Sequence, residues 1–200
     1  MTEPRPPARV VLLAGPSGSG KSYVARRTGL PVLALDDFYR DGDDPALPRL
    51  PSGLVDWDDP ESWNADDAVA TIVRLCTERR AEVPVYEIGV DRRTGTHILE
   101  VGDAPVFVAE GIFAAEVVGA CRVAGVLAAA VTLRRTRQIT YVRRLTRDLR
   151  ERRKAPRVLL RRGWALMRAE PAVLARQTEL GCTPRNATDT IRAVRRLLRP

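Results

Sequence analysis

The chain has 200 residues, of which 44% are hydrophobic, so it is long enough for one α/β domain with a full core and too short for two domains of ordinary size. Its net charge of +8 is uneven, because residues 1–121 carry 12 basic and 20 acidic side chains, whereas residues 122–200 carry 21 basic and 5 acidic ones. No run approaches the roughly 18–20 apolar residues of a membrane span, and the proline-rich start lacks the apolar part of a signal peptide. We therefore predict a single cytoplasmic domain over residues 1–200, with a flexible start at 1–8 and no membrane partner.

The first predicted strand, at residues 10–14, leads directly into Gly15-Pro16-Ser17-Gly18-Ser19-Gly20-Lys21-Ser22, which fits the phosphate-binding pattern G-x-x-x-x-G-K-[ST]. In such a loop the backbone N–H groups point at phosphate oxygens, and the next helix, expected from Gly20 to about Thr28, adds its positive N-terminal end. Lys21 would reach the β- and γ-phosphates, and the Ser22 hydroxyl would ligate Mg²⁺. The candidate ATP-binding residues of this region are Gly15, Ser17, Gly18, Ser19, Gly20, Lys21, Ser22 and Tyr23. A glycine-rich structural turn is the less favoured alternative.

A second short strand is predicted at residues 31–35, and it delivers Asp36 and Asp37 at its carboxyl end. Ligands of open α/β sheets bind at that edge. Residues 40–60 are rich in Asp, Pro and Gly and have little apolar periodicity. We interpret them as a long functional loop that contacts substrate rather than as a linker.

A helix and a hairpin are predicted next. Asn64 or Asp66 would cap a helix that reaches about Arg80. The extended segment 82–90, a turn, and the alternating segment 96–101 together predict a hairpin beside the main sheet.

Two strongly apolar runs, at residues 105–109 and 126–133, predict two further strands, and the first of them ends in Glu110-Gly111. Apolar strands separated by helical segments are typical of a parallel sheet that is covered on both faces. The predicted fold is therefore α/β: a P-loop NTPase three-layer sandwich with a mainly parallel sheet, helices on both faces and a small added hairpin.

The basic half of the chain is predicted to be mostly helical. Residues 136–153 have apolar residues at helical spacing and many arginines on the other faces. Residues 157–179 form a second helical region that we expect to be interrupted or offset near Pro171. Residues 180–186 are predicted to be a loop, and 188–198 a closing amphipathic helix.

Neither the cysteines nor the single histidine predicts a metal or redox site. Cys76, Cys121 and Cys182 are odd in number and contain no C-x-x-C pair, so we expect small buried residues. His97 is expected to be an ordinary strand residue, because no second histidine or nearby cysteine offers a partner.

A phosphate loop identifies the nucleotide but not the reaction, and the acidic residues that follow favour a small-molecule kinase. Phosphoryl transfer needs a hydroxyl in line with the phosphate, a metal ion and cations around the migrating group. Ser22 and a carboxylate at a neighbouring strand end would hold Mg²⁺, and both Asp36 and Glu110 occupy such ends. One of the two carboxylates would also orient or deprotonate the acceptor hydroxyl.

Five short motifs follow the loop in order: Asp36-Asp37-Phe38-Tyr39, Asp58-Asp59-Pro60, Pro84-Val85-Tyr86-Glu87, Glu110-Gly111-Ile112 and Arg147-Asp148-x-x-Glu151-Arg152. In this order and spacing, the sequence from about residue 10 to 154 resembles the uridine kinases and their phosphoribulokinase-like relatives.

The resemblance implies roles on the acceptor side. Asp36 corresponds to the family's catalytic aspartate beside the nucleoside 5′-hydroxyl and the metal, with a turn or cap residue as the alternative. Glu110 corresponds to the acidic residue near Mg²⁺. Asp58 corresponds to the aspartate that binds ribose hydroxyls. Tyr39 and Tyr86 correspond to aromatic residues that line the nucleoside pocket, with plain packing as the alternative.

The resemblance also implies a helical lid, which together with its flanking helices spans about residues 136–160. Arg144 and Arg147 correspond to arginines that approach the acceptor and the transferred phosphate, so Arg147 is a catalytic candidate together with Asp36 and Lys21. Arg152 and Lys154 correspond to lid cations that close on ATP. A solvated helix face is the alternative for these four residues.

The sequence departs from the family where the pyrimidine is recognised, because Ile88 and Asp91 stand in place of an aromatic residue and a histidine. Asp91 is a candidate substrate contact that would prefer an amine over a carbonyl; its alternative is a plain turn residue. We therefore predict an ATP- and Mg²⁺-dependent kinase for a hydroxyl of a uridine- or cytidine-like nucleoside or similar sugar-containing acceptor. A sugar phosphate or pantothenate-like acceptor is the alternative. A nucleic-acid-binding NTPase that uses the basic half is less favoured, since the chain has 5% aromatic residues and no recognised nucleic-acid motif.

Overall fold

The part of the chain that the structure describes contains a sheet of five parallel strands and a separate antiparallel hairpin. The computed structural model describes residues 7–136, 138, 140–142, 146 and 156–198, without the side chains of 156–163, 165 and 166. In chain order the strands are β1 (Arg9–Ala14), β2 (Val32–Ala34), β3 (Arg80–Glu87), β4 (Arg92–Glu100), β5 (Val106–Glu110), β6 (Leu127–Leu133) and β7 (Thr183–Arg185). The sheet has the order β2-β5-β1-β6-β7, with every neighbouring pair parallel, and β3 pairs with β4 as the hairpin.

Helices cover both faces of the sheet. They are α1 (Lys21–Thr28), α2 (Ala65–Thr77), α3 (Val118–Val123), α4 (Pro156–Glu179) and α5 (Ala187–Arg196), and short 3-10 turns lie at Leu35–Phe38 and Pro60–Ser62. None of the described helices is both long and apolar enough to cross a membrane.

The alternation of side chains along β1 explains the layers. Val10 and Leu12 enter one buried cluster, which includes apolar residues of α2 and α3, whereas Val11 and Leu13 enter a second cluster with residues of α1 and α5. A strand with both faces covered must be apolar at consecutive positions, as this one is. The predicted α/β sandwich, its parallel sheet and its hairpin are confirmed.

Two predictions for the C-terminal part are wrong. Pro171 does not interrupt the helical region, because α4 runs through it without a break. A proline removes one helix hydrogen bond, but the buried side chains of Glu170 and Gln177 show that tertiary packing holds this helix on both sides of the proline. The predicted loop at 180–186 contains the edge strand β7, whose sequence Thr-Pro-Arg has no apolar alternation and which is held by backbone pairing to β6.

The remaining elements agree with the predictions to within a few residues. α2 starts after Asn64 and ends three residues before Arg80, which instead begins β3. His97 is a strand residue opposite Val83 in the hairpin. The three cysteines are buried, as predicted. The described residues of the helix predicted at 136–153 are helical from position 138 onward, and the single-domain boundaries and the lid remain predictions.

Candidate active site

The loop between β1 and α1 has a backbone that only glycine adopts without strain. Gly15, Gly18 and Gly20 have φ angles of 144°, 84° and 96°, in the left-handed region. A Cβ on Gly15 would also lie 3.1 Å from Ser19 Oγ and 3.2 Å from the carbonyl oxygen of Leu133 at the end of β6. The glycines of the motif are therefore required by the shape of the loop and by its close approach to the sheet.

The ammonium group of Lys21 lies inside this loop. Its Nζ donates hydrogen bonds to the carbonyl oxygens of Gly15 at 2.9 Å and Pro16 at 3.4 Å, and the side chain is 6% exposed. Ser22, the next residue, is exposed at the start of α1. A fixed cation thus lies at the positive N-terminal end of a helix, which is an arrangement suited to phosphate.

Carboxylates gather at the same edge of the sheet. Glu110, the last residue of β5, is in register with Leu13 of β1 and Ala34 of β2, and Asp36 is the second residue after the end of β2. Burial raises the pKa of Glu110, while Lys21 and a hydrogen bond with Ser22 lower it and Asp36 raises it further; the net shift is upward. The structure therefore brings together Lys21, Ser22, Asp36 and Glu110, as the sequence predicted.

The turn after β5 holds Asp36 in place. The backbone N–H of Ile112 donates a hydrogen bond to Asp36 Oδ1 at 3.2 Å. A Cβ on Gly111 would lie 2.8 Å from Leu35 Cβ and 3.0 Å from Asp36 Oδ1. The sequence motifs alone assigned no role to Gly111 or Ile112. Their position directly after Glu110, a predicted site residue, is the signal that could have identified them.

We expect Gly111→Ala to lower the free energy of unfolding by about 1–3 kcal/mol, the usual cost of inserting a methyl group into a filled space. The new Cβ has no room beside Leu35 and Asp36. Gly119→Ala is the matched control, because that glycine is in α3 with open space around it. Urea denaturation measures both variants, and equal stability of the two would contradict the close approach at Gly111.

An aromatic cluster lies next to the turns that carry these carboxylates. It is formed by Tyr39, Trp57, Tyr86 and Phe113, and we call it the aromatic wall. The ring centroid of Tyr39 lies 5.6 Å from that of Trp57, 5.7 Å from that of Tyr86 and 5.9 Å from that of Phe113. The Tyr39 hydroxyl donates to the carbonyl oxygen of Trp57 at 3.1 Å, and the ring is 9% exposed. Tyr39 and Tyr86 thus lie side by side, with Tyr39 mainly packed and Tyr86 partly exposed.

The hairpin is joined to Asp37 and to the start of the long loop by hydrogen bonds around Tyr86 and Asp91. The backbone N–H of Tyr86 donates to Asp37 Oδ1, and the Tyr86 hydroxyl donates to the carbonyl oxygen of Arg40, each at 3.2 Å. Asp91 is the turn residue of the hairpin, with a φ of 50°, and its carbonyl oxygen accepts from the N–H of Gly42 at 2.7 Å. Burial raises the pKa of the Tyr86 phenol, and the charges of Asp91 and Asp41 raise it further. Asp91 is therefore a turn residue that also lies near an aromatic side chain of the wall.

Asp58 lies on the exposed surface of the long loop. Its backbone N–H donates to Asp56 Oδ1 at 3.1 Å, and it directly follows Trp57 of the aromatic wall. Residues 40–59 contain no helix or strand beyond an isolated bridge between Arg49 and Val55, which confirms the predicted long loop.

A cavity of about 960 Å³ opens on the other side of β1. It is lined by residues that follow β6, by Glu170 and its neighbours on α4, and by the start of α5: Arg134, Arg135, Thr136, Gln138, Glu170, Pro171, Leu174, Asn186, Ala187, Thr188 and Asp189. Glu170 is 2% exposed. Since β6 and β5 flank β1 on opposite sides, the phosphate loop lies between this cavity and the carboxylates.

Not every predicted site residue can be placed. Arg144, Arg147, Arg152 and Lys154 lie outside the described residues. Tyr23 is on α1 with a half-exposed side chain.

A parallel sheet with this loop after its central strand and with carboxylates at the adjacent strand ends defines a P-loop nucleotide-binding protein. The family model described as phosphoribulokinase / uridine kinase family matches residues 10–161. The chain belongs to this family, and the resemblance seen in the sequence is confirmed.

Individual relatives agree with the family. A uridine kinase of Schizosaccharomyces pombe is 30% identical over 148 residues, which cover 70% of this chain and 32% of that protein. A uridine kinase of Bacillus cereus strain AH187 is 27% identical over 148 residues, covering 72% of this chain and 68% of that protein. The chain thus spans about a third of the length of the first relative and about two thirds of the second.

A solved structure supports the fold alone. The crystal structure of a putative fructose transport system kinase from Silicibacter sp. TM1040 superposes with a TM-score of 0.59 at 18% identity, over 86% of this chain and 88% of that one.

Proposed function

We propose that this protein is a cytoplasmic, ATP-dependent kinase that transfers the γ-phosphate to a hydroxyl group of a nucleoside or a similar sugar-containing acceptor. The observation that carries the proposal is the convergence of Lys21, Ser22, Asp36 and Glu110 at one edge of the sheet. A cation for phosphate and carboxylates for a metal and a hydroxyl are the parts that phosphoryl transfer requires.

The donor side of the proposed site is the phosphate loop. Its backbone N–H groups and the start of α1 would bind the phosphates, and the Lys21 ammonium would lie against the β- and γ-phosphates. The cavity beyond β6 is large enough for the base and ribose of the nucleotide.

The metal ligands would be oxygen atoms. Ser22, Asp36 and Glu110 offer a hydroxyl and two carboxylates in one place, and this hard donor set fits Mg²⁺, which usually takes few protein ligands beside phosphates and water. Within the part of the chain that the structure describes, no group of three or more His, Cys, Asp or Glu side chains could hold a metal ion by itself. When bound, the ion would offset the charge of the donor phosphates.

Asp36 would orient the acceptor hydroxyl and accept its proton. The N–H of Ile112 fixes one oxygen, Oδ1, so we assign Oδ2 as the oxygen that would accept the proton of the acceptor hydroxyl. The side chain is exposed at the carboxyl end of β2, where an acceptor has access to it.

The acceptor would be neutral and polyhydroxylated. Acidic side chains far outnumber basic ones in the segment 36–67 that forms this side of the site, which disfavours a sugar phosphate or a pantothenate-like anion. Asp58 would accept hydrogen bonds from two vicinal hydroxyls, and Tyr86 with Trp57 would offer a stacking surface. Asp91 lies near the Tyr86 phenol, and there it would favour an amine-bearing base.

A panel of acceptors tests this proposal. We expect ribonucleosides to be phosphorylated, cytidine at least as well as uridine, and 2′-deoxy forms to lose at least roughly 10-fold in kcat/KM, because the acceptor then makes one hydrogen bond to the Asp58 carboxylate instead of two. Asp58→Asn should reduce the preference for the ribo form, whereas the surface control Asp103→Asn should keep it. Phosphorylation of sugars, sugar phosphates or pantothenate alone would reject the nucleoside acceptor.

A further inference from the structure

A buried glutamine of α4 links that helix to the turn that holds Asp36. Gln177 is 4% exposed; its Oε1 accepts a hydrogen bond from Thr132 Oγ1 at 2.5 Å, and its Nε2 donates to the carbonyl oxygen of Ile112 at 3.2 Å. A backbone carbonyl can only accept, so the amide nitrogen must face Ile112 and the Thr132 hydroxyl must be the donor at the other end. The oxygen and the nitrogen of the side-chain amide therefore each have a hydrogen-bond partner.

Ile112 is held from two sides. Its carbonyl oxygen receives the bond from Gln177, while its N–H donates to Asp36 Oδ1. The preceding residue, Gly111, donates its own N–H to the carbonyl oxygen of Leu13 in β1 at 3.3 Å. The result is a continuous chain of hydrogen bonds from Thr132 through Gln177 and Ile112 to the carboxylate of Asp36.

Arg176, the residue before Gln177 on α4, contacts the segment after Ile112 at the protein surface. Arg176 makes a bidentate ion pair with Glu116, with both N–O distances at 3.0 Å, but its side chain is exposed. Exposed ion pairs constrain little, because water competes for both partners. Gln177 is therefore the buried contact that fixes the carbonyl group of Ile112.

We infer that Gln177 is a positioning residue for phosphate transfer, which acts by holding the carbonyl group of Ile112 and, through the backbone of that residue, the Asp36 carboxylate in the orientation that the acceptor hydroxyl requires. The inference rests on the proposed kinase function. It extends the active site to α4 and β6, two elements to which the sequence motifs assign no part on the acceptor side.

Kinetics of Gln177→Met test this role, because methionine keeps the volume and loses the amide. We expect kcat to fall by about 10-fold, since a small misplacement of a reacting group is costly, while the Kd for Mg-ATP stays within about two-fold. Thr178→Ala, at the exposed neighbouring position, is the matched control and should behave as wild type. In an Asp36→Asn background, Gln177→Met should cause no further loss, whereas a full additional loss would overturn the inference.

A second variant separates positioning from packing. In Gln177→Glu the protonated side chain can donate to Ile112, and the ionised one cannot. The activity of this variant relative to wild type should therefore rise as the pH falls. A ratio that does not change with pH would contradict the role of the donated hydrogen bond.

Hydrogen exchange at the Ile112 amide tests the inference without any phosphate transfer. We expect Gln177→Met to speed this exchange by about 10-fold relative to wild type and to the Thr178→Ala control, because the backbone of Ile112 is then held only through its N–H and no longer through its carbonyl group. Thr132→Val, which removes the hydrogen bond to the amide oxygen, should act in the same direction and serves if Gln177→Met does not fold. If wild type phosphorylates no acceptor, the proposed function fails, yet the exchange still decides whether Gln177 holds the turn. Unchanged exchange at Ile112 would overturn the inference in either case.

Discussion

Replacing Lys21 with alanine is expected to lower kcat/KM for phosphate transfer by roughly 100- to 1,000-fold, the usual effect of removing one fixed charge from a reacting group. The carbonyl oxygens of Gly15 and Pro16 hold the ammonium within the loop. A water molecule that took its place in the variant would not supply the lost positive charge. Among 33 basic residues the chain has only two lysines, Lys21 and Lys154, so the choice of a compact cation here is specific. Lys21→Arg should also be impaired, because a planar guanidinium is larger than the ammonium that the loop encloses.

The measurement is a calorimetric titration with Mg-ATP together with steady-state kinetics. Wild type should bind Mg-ATP and be stabilised by it, and Lys21→Ala should bind more weakly. Arg27→Ala, at an exposed cation at the end of α1, is the control that changes the net charge equally. Transfer by Lys21→Ala at the wild-type rate would mean that the loop does not bind the donor phosphates.

Replacing Asp36 with asparagine is expected to lower kcat by at least roughly 100-fold, the scale of a lost general base or metal-orienting group. Asparagine can still accept the hydrogen bond from Ile112, so the turn and the fold should be preserved. The affinity for Mg-ATP should stay within several-fold, because the phosphates are bound by the loop on β1 and α1. Binding and chemistry should therefore separate in this variant.

The control for this change is Asp66→Asn, at an exposed carboxylate on α2. Steady-state kinetics with the best acceptor of the panel, and calorimetry with Mg-ATP, provide the two readouts. An unchanged kcat in Asp36→Asn would remove Asp36 from the mechanism.

The parts of the fold that the sequence predicted are those whose residues carry a local signal. Strands β1, β5 and β6 are apolar on both faces, and the phosphate loop needs glycines at positions with left-handed backbone. Asp36 and Glu110 could be placed together because the carboxyl ends of parallel strands meet at one edge.

The parts that were missed depend on contacts between distant residues. β7 is a strand only because its backbone pairs with β6, and α4 passes through Pro171 because its packed face is held by the rest of the fold. Gln177 and Thr132 are 45 positions apart and stand among ordinary helix and strand residues, so no spacing marks them as partners. Pattern analysis detects local periodicity, and these contacts have none.

Phosphorus-31 nuclear magnetic resonance of the wild-type protein with Mg-ATP and each acceptor of the panel tests the kinase assignment most directly, because it follows every phosphate at once. We predict that ADP and a phosphomonoester of a ribonucleoside accumulate in equal amounts and at the same rate. Formation of ADP with inorganic phosphate alone, whichever acceptor is present, would contradict the account and indicate an NTPase that does not transfer its phosphate to a hydroxyl acceptor.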